Sequence, residues 1–216
     1  REALDGSAPL VAGVGASSTR EAVRIARAAA SIGANALMVL PPYVYRGDAR
    51  ETEAHLKAVI EATQLPCLLY NNPIAYGVDV EPAQVERLAR QHPNLEAVKE
   101  SSGSAARMAD IERRLSGRVQ VMIGMDDQVM DGVQAGAVGW IAGLVNALPR
   151  ESVRLFELAR SGSRAEAEAF HEWFLPLLKL DTVPKFVQLI KLVQELVGRG
   201  SARVRPARGR HPGGRH

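Results

Sequence analysis

Apolar and polar positions along this chain follow two rhythms, and the rhythms take turns. Short apolar runs stand at residues 9–13, 36–40, 66–70, 95–99, 119–123 and 138–141. A near-continuous run of that length has no polar face, and it predicts a strand buried on both sides. Between the runs, at 20–32, 51–63, 82–91, 105–115 and 127–134, apolar residues recur every three or four positions, which predicts amphipathic helices. Ser18 or Thr19 offers the N-cap of the first helix, and Gly33 its stop. From residue 150 only the helical rhythm continues, at about 150–161, 164–178 and 183–197. The six βα units have connections that suit parallel strands and right-handed crossovers, so the fold class is α/β.

A closed barrel and an open doubly wound sheet both fit that class. No Gly-x-Gly-x-x-Gly follows a strand, so the dinucleotide-binding version of the open sheet has no support. Polar and special residues gather just after strand ends: Pro41-Pro42-Tyr43, Tyr70-Asn71-Asn72-Pro73, Lys99-Glu100-Ser101-Ser102 and Gly124-Met125-Asp126-Asp127. Functional residues at the C-terminal ends of several strands are what the catalytic face of a barrel requires. Lys99 stands out because it ends an apolar strand. Burial disfavours an ammonium and frees the amine to attack a carbonyl as a Schiff-base nucleophile; alternatively, such a lysine leaves the sheet and snorkels to water. Tyr70 ends the preceding strand. Neighbouring strands are about 4.8 Å apart, so phenol and amine can share one space, where a tyrosine can move protons; alternatively, it caps the strand with its hydroxyl in water.

Composition narrows the classes. Hydrophobic residues make up 46%, enough for a sizeable core, and no apolar run is long enough to span a bilayer. The single cysteine, Cys67, lies within an apolar run and is read as a small core residue, which fits a reducing cytoplasm. Removing the five arginines after Gly200 takes the formal charge from +3 to −2, so the basicity sits in a terminal stretch. Its Gly and Pro content predicts disorder, and without aromatic interleaving it does not argue for nucleic acid. No clustered His and Cys spacing supports a metal. Asp126 and Asp127 are read as N-terminal helix caps. The expected division is a partial barrel at 1–149, a helical region at 150–199 and a basic tail at 200–216.

The ordered motifs Gly13-Val14-Gly15, Leu40-Pro41-Pro42-Tyr43, Tyr70-Asn71-Asn72-Pro73-x-x-x-Gly77, Val98-Lys99-Glu100-Ser101-Ser102-Gly103, Gly124-x-Asp126-Asp127, Gly136-Ala137-x-Gly139 and Asn146 strongly resemble the dihydrodipicolinate synthase / N-acetylneuraminate lyase family. The resemblance implies a (β/α)8 TIM barrel that here lacks its first two βα units, followed by a C-terminal helical extension. It implies a cytoplasmic, homo-oligomeric enzyme, a tetramer or dimer when full length, with no metal or organic cofactor and no membrane partner. Lys99 would form the imine with a small 2-oxo acid or cyclic imino acid, and Tyr70 would be its general acid/base. Gly124, Ile141 and Tyr43 would line the substrate pocket, while Asn146 suits loop structure.

Two departures shape the expected activity. Family members that make dihydrodipicolinate carry an arginine two residues past the loop proline, where this chain has Ala75; the relay tyrosine of the family falls on Val44. The helical end, with Trp173-Phe174-Leu175-Pro176 and Leu180-Asp181-Thr182-Val183-Pro184-Lys185, resembles catabolic members of the 1-pyrroline-4-hydroxy-2-carboxylate deaminase type. A deaminating or dehydrating Schiff-base lyase is therefore expected. The alternatives are 4-hydroxy-tetrahydrodipicolinate synthase and, from another class, an inactive fragment that acts only by association. The family's missing portion would carry the Thr-containing loop that binds the substrate carboxylate, so the chain alone is expected to be inactive.

Overall fold

The computed structural model describes residues 4–206 and 208–209. Each apolar run becomes a strand: β1 (Val11–Val14), β2 (Ala36–Val39), β3 (Cys67–Asn71), β4 (Leu95–Glu100), β5 (Gln120–Ile123) and β6 (Gly139–Trp140). They hydrogen-bond in chain order from β1 to β6. The pairs β1–β2, β2–β3 and β3–β4 are parallel, with Val11 beside Ala36 and Leu37 beside Cys67. A doubly wound sheet reverses its strand order at a switch point. The monotonic order here contains no reversal, which is the order of a (β/α)8 fold.

The helices are α1 (Thr19–Ser31), α2 (Ala49–Ile60), α3 (Pro73–Tyr76), α4 (Pro82–Gln91), α5 (Ala105–Leu115), α6 (Val129–Gln134), α7 (Pro149–Ser161), α8 (Arg164–Leu178) and α9 (Phe186–Leu196). Their starts follow local chemistry. Ser18 caps α1 by accepting the Glu21 N–H at 3.3 Å. Asp48 and Glu51 form a reciprocal capping box on α2. Two expected helices are trimmed. The segment at 127–134 opens as a 3₁₀ turn, Asp126–Gln128, before α6. The last helix begins at Phe186 and not at residue 183, because Val183 precedes Pro184 and takes extended backbone.

The ladder between β3 and β4 carries one irregularity. Cys67 pairs with Leu95, but Leu68 pairs with Ala97, so Glu96 is an extra residue bulged out of β4. Beyond it the register is regular: Leu69 with Val98, Tyr70 with Lys99, Asn71 with Glu100.

By packing, the chain forms two compact units. One takes the residues up to Met122 together with Ala135–Val138; the other takes Ile123–Gln134 and the residues from Gly139 onward. The expected division at residue 149 is one by element type, and α7 begins at that residue. The first unit buries Leu37, Val39, Leu56, Ile60, Leu69, Leu88, Leu95, Val98 and Ile111, drawn from its strands and the inner faces of its helices. The second buries Ile123, Leu144, Leu155, Phe174 and Leu178. Each such side chain contributes about 1.5–3 kcal/mol. At the start of the basic stretch, Ala202 is buried and its N–H donates to Glu195 at 3.0 Å. Arg210 and Arg215 lie outside the described residues.

Candidate functional site

In the first unit the ends of β3 and β4 present two different faces. Paired residues on neighbouring parallel strands point the same way, so Tyr70 and Lys99 share one face, and Asn71 and Glu100 the other. The Lys99 ammonium nitrogen lies 4.3 Å from the centroid of the Tyr70 ring. Both side chains are half-buried. The contact is with the face of the ring, a cation–π geometry.

The Tyr70 hydroxyl is held by its own loop. The Asn72 amide donates to it at 3.0 Å. The same Asn72 caps α3, its carbonyl oxygen accepting the Ala75 N–H at 3.0 Å. Gly77 ends α3 at φ 67°, in the left-handed region that glycine adopts freely. The Arg46 guanidinium lies against this glycine; a β-carbon there would meet it at 2.6 Å. This one-turn helix points Tyr76 back toward Tyr70. The two rings meet edge to face, at 89° and 5.7 Å between centroids. Tyr43, from the loop after β2, meets Tyr76 at 5.9 Å. Three tyrosines therefore run from the half-exposed Tyr43 inward to Lys99. Burial above all, and then Tyr70 and Tyr43 beside it, push the Tyr76 phenol up to about 12. Tyr76 thus keeps its proton at any ordinary pH.

The opposite face is a polar clamp. The Asn71 amide reaches the buried Glu100 carboxylate at 3.1 Å and Asp79 at 3.0 Å. Its carbonyl oxygen accepts the Val80 N–H at 3.0 Å. Glu100 also accepts the Ser102 N–H at 2.7 Å and lies 3.6 Å from Arg107. Arg107 in turn donates to Asp79 and to the Val80 carbonyl, each at 2.9 Å. A buried carboxylate is tolerable only with such partners. Here they fix the ends of β3 and β4 against each other, and with them the Tyr70–Lys99 pairing. Ser101 follows on the strand; it is fully buried and its hydroxyl finds no protein partner among the described residues. Cys67, at the other end of β3, is buried, and burial pushes its thiol up to about 12, as befits a core residue.

The second unit holds Gly124 and Ile141. Gly124 is buried directly after β5, and Ile141 joins it through Ile123, whose carbonyl accepts the Ile141 N–H at 3.0 Å. Asp126 departs from its expected part. It does not cap its own turn, whose N-cap is Met125. Fully buried, it accepts from Trp140 at 3.1 Å and from the Gly143 and Leu144 N–H groups at 2.9 and 2.7 Å. It therefore caps the 3₁₀ turn Leu144–Asn146, a partner remote in sequence. Burial, and then the charge of Asp181, push its carboxyl up to about 6 against the pull of those three donors. Asp127 departs as well: its Oδ1 is buried without a partner among the described residues, and its backbone carbonyl meets His171 at 3.2 Å. Asn146 serves its loop, donating to the Gly143 carbonyl at 2.9 Å. Among the described residues no cluster of metal-ligating side chains occurs, and no helix is long and apolar enough to cross a membrane.

The profile of the Dihydrodipicolinate synthetase family matches residues 1–209. The chain belongs to this family. Among its curated relatives, a 4-hydroxy-tetrahydrodipicolinate synthase from Halorhodospira halophila is 35% identical over 176 residues, which are 82% of this chain and 58% of that protein. One of the same name from Sulfurihydrogenibium is 33% identical, over 80% of this chain and 59% of the relative. This dihydrodipicolinate synthetase family chain thus spans a little under three fifths of the length of these relatives. Among solved structures, the 4-hydroxy-tetrahydrodipicolinate synthase of Methylacidiphilum fumariolicum aligns with a TM-score of 0.91 at 28% identity, covering 98% of this chain and 71% of that one. A prophage protein of the family from E. coli, solved with pyruvate, aligns at 0.89 and 28% identity, over 97% and 72%. The relatives' names correspond to the synthase alternative drawn from the sequence; none of these relatives carries the deaminase name.

Within this family member, the sequence-derived set divides. Lys99, Tyr70 and Tyr43 come together in the first unit, and Gly124 and Ile141 belong to the second. Sequence reasoning missed Tyr76 and Asn72. Asn72 carries a legible signal, an Asn-Pro pair that predicts a capped turn. Tyr76 carries none, because its direction depends on α3 being helical for one turn.

Proposed function

We propose that this chain carries the imine-forming centre of a Schiff-base lyase that acts on a small 2-oxo acid. The observation that carries this reading is the register pairing of Tyr70 with Lys99, which sets an amine 4.3 Å from the ring of a tyrosine whose hydroxyl is already oriented. The Lys99 amine attacks the carbonyl carbon, forming a C–N bond while the oxygen takes a proton. Tyr70 then protonates the carbinolamine hydroxyl, the C–O bond breaks, water leaves, and a protonated imine remains as the electron sink. No metal ion is required for those steps. Tyr43, at the outer end of the aromatic row, would line the substrate pocket.

The names of the relatives support condensation of the imine with an aldehyde, as in a 4-hydroxy-tetrahydrodipicolinate synthase, ahead of deamination of a cyclic imino acid. Ala75 keeps the deaminase reading as the second one: it places a methyl group where the synthase pattern has an arginine. Association into a tetramer or dimer belongs to the same proposal.

Borohydride with pyruvate, read by intact mass and peptide mapping, tests the reading. One adduct per chain at Lys99 is expected, and Lys99→Ala should remove it. Tyr70→Phe should slow its formation by about 10²–10⁴-fold. An adduct on Lys57, Lys179, Lys185 or Lys191 would sink the assignment. Parallel assays with aspartate semialdehyde and with a hydroxylated cyclic imino acid separate synthase from deaminase.

A further inference from the structure

We infer that Asn72 is a positioning residue for Tyr70: its amide fixes the phenol oxygen as an acceptor, which leaves the Tyr70 proton for the substrate and keeps a donor facing the charge that remains. This rests on the imine-forming reading above and adds to it what decides the direction of the Tyr70 proton.

That direction is set by the backbone of the loop. A side-chain amide offers an acceptor oxygen on one side and a donor NH₂ on the other, so a fixed neighbour decides which way it turns. At Asn72 that neighbour is the Ala75 N–H, which donates to Oδ1 at 3.0 Å. A turned-over amide would set donor against donor there. The turn that presents the Ala75 N–H is itself closed twice. The Tyr76 N–H donates to the Asn72 backbone carbonyl at 3.0 Å, and the Gly77 N–H to the Pro73 carbonyl at 2.9 Å. With Oδ1 committed, Nδ2 faces Tyr70 and donates to the phenol oxygen at 3.0 Å. An amide NH₂ is a donor only, so it cannot take the Tyr70 proton. The Tyr70 O–H therefore points away from Asn72.

The chemical consequence follows the proton. Tyr70 gives it to the carbinolamine hydroxyl, the C–O bond breaks, water departs, and the Tyr70 oxygen is left as a phenolate beside the iminium. Asn72 keeps its own protons throughout. A hydrogen bond to an ionised oxygen is about twice as strong as one to a neutral oxygen, so the existing amide contact strengthens as the charge appears. A preorganised donor of this kind lowers the barrier without reorganisation. Tyr70 recovers a proton when the iminium releases one from its methyl carbon and becomes an enamine.

The test compares wild type, Asn72→Asp and Asn72→Ala in the 216-residue chain. A carboxylate is as good an N-cap as an amide, so Asn72→Asp keeps its hold on the Ala75 N–H. Toward Tyr70 it is an acceptor only: it draws the phenol proton to itself and disfavours the phenolate. Asn72→Ala loses both bonds. Quenched borohydride trapping over a range of pyruvate concentrations gives the rate of adduct formation at Lys99. Asn72→Asp should melt like wild type, yet lower the saturating rate about a hundredfold with the half-saturating pyruvate concentration unchanged. Asn72→Ala should melt lower but lose only about tenfold in rate. If Asn72 merely holds the turn, the order reverses and Asn72→Ala is the slower; that order, or Asn72→Asp at the wild-type rate, overturns the inference. A second readout needs no substrate. In ¹⁵N spectra, the Asn72 side-chain amide should exchange with solvent about fivefold faster in Tyr70→Phe, because its acceptor is gone; unchanged exchange would also overturn the inference. No Lys99 adduct in wild type, with that exchange still rising, would reject the imine chemistry and leave the amide's hold on Tyr70 standing.

Discussion

Ala75 shows how much one side chain can decide. It is exposed on α3, one residue before Tyr76 and two before the glycine that carries Arg46 against it. A guanidinium binds a carboxylate through paired, charge-assisted hydrogen bonds worth about 1.5–3 kcal/mol, or roughly ten- to a hundredfold in affinity. Ala75→Arg is therefore expected to raise kcat/KM for an aldehyde with a distal carboxylate by at least about tenfold, while pyruvate trapping at Lys99 stays as it is. Steady-state condensation assays with aspartate semialdehyde check this; no gain would mean that the loop does not face the second substrate. Lys99 and Tyr70 were legible because a titratable residue ending an apolar run is conspicuous. Tyr76 was not, because its neighbours Ile74 and Ala75 give no period from which to read a direction.

Elements were legible where pattern and caps agreed. The helices at 82–91, 105–115 and 164–178 stand where the spacing put them. α3 escaped because four residues are too few to show a period. Asp126 was misassigned because its three partners lie 14 to 18 residues away, beyond any local rule. Its burial has a measurable consequence for the turn it holds. The carboxyl has an ordinary value of 3.8 and about 6 in the folded chain. Between those values the folded state keeps a proton that the unfolded chain releases. The associated stability is present below about pH 4 and is lost as pH rises through about 6, on the order of 3 kcal/mol in all. Asp126→Asn cannot ionise. Urea unfolding should show wild type losing its advantage over that variant between about pH 4.5 and 7.5; the same difference at both pH values would count against it.

At the scale of the molecule, alternating rhythms established the α/β class, and the strand order then chose between the two arrangements that the rhythms left open. Family membership followed from motifs whose members are scattered over the chain but gathered at strand ends. Substrate choice was the least legible property. It turns on single side chains in loops, and the helical end that resembled deaminases reflects packing more than chemistry: within α8, Trp173 stacks on Phe174 and meets Phe170 at a tilt.

The bulge at Glu96 gives β4 slack at one position and none elsewhere. Three residues of β4 lie between Leu95 and Lys99, where two of β3 lie between Cys67 and Tyr70. Removing Glu96, which is exposed, makes the counts equal and leaves Tyr70 opposite Lys99. Removing Val98 also equalises them, but draws Glu96 into the ladder opposite Leu68, among apolar neighbours. The strand thus tolerates a shortened gene at a single codon. Deletion of Glu96 is expected to preserve pyruvate trapping at Lys99, whereas deletion of Val98 abolishes it and lowers the unfolding midpoint. Equal behaviour of the two shortened chains in trapping and thermal melts would show that the register is set by something other than residue count.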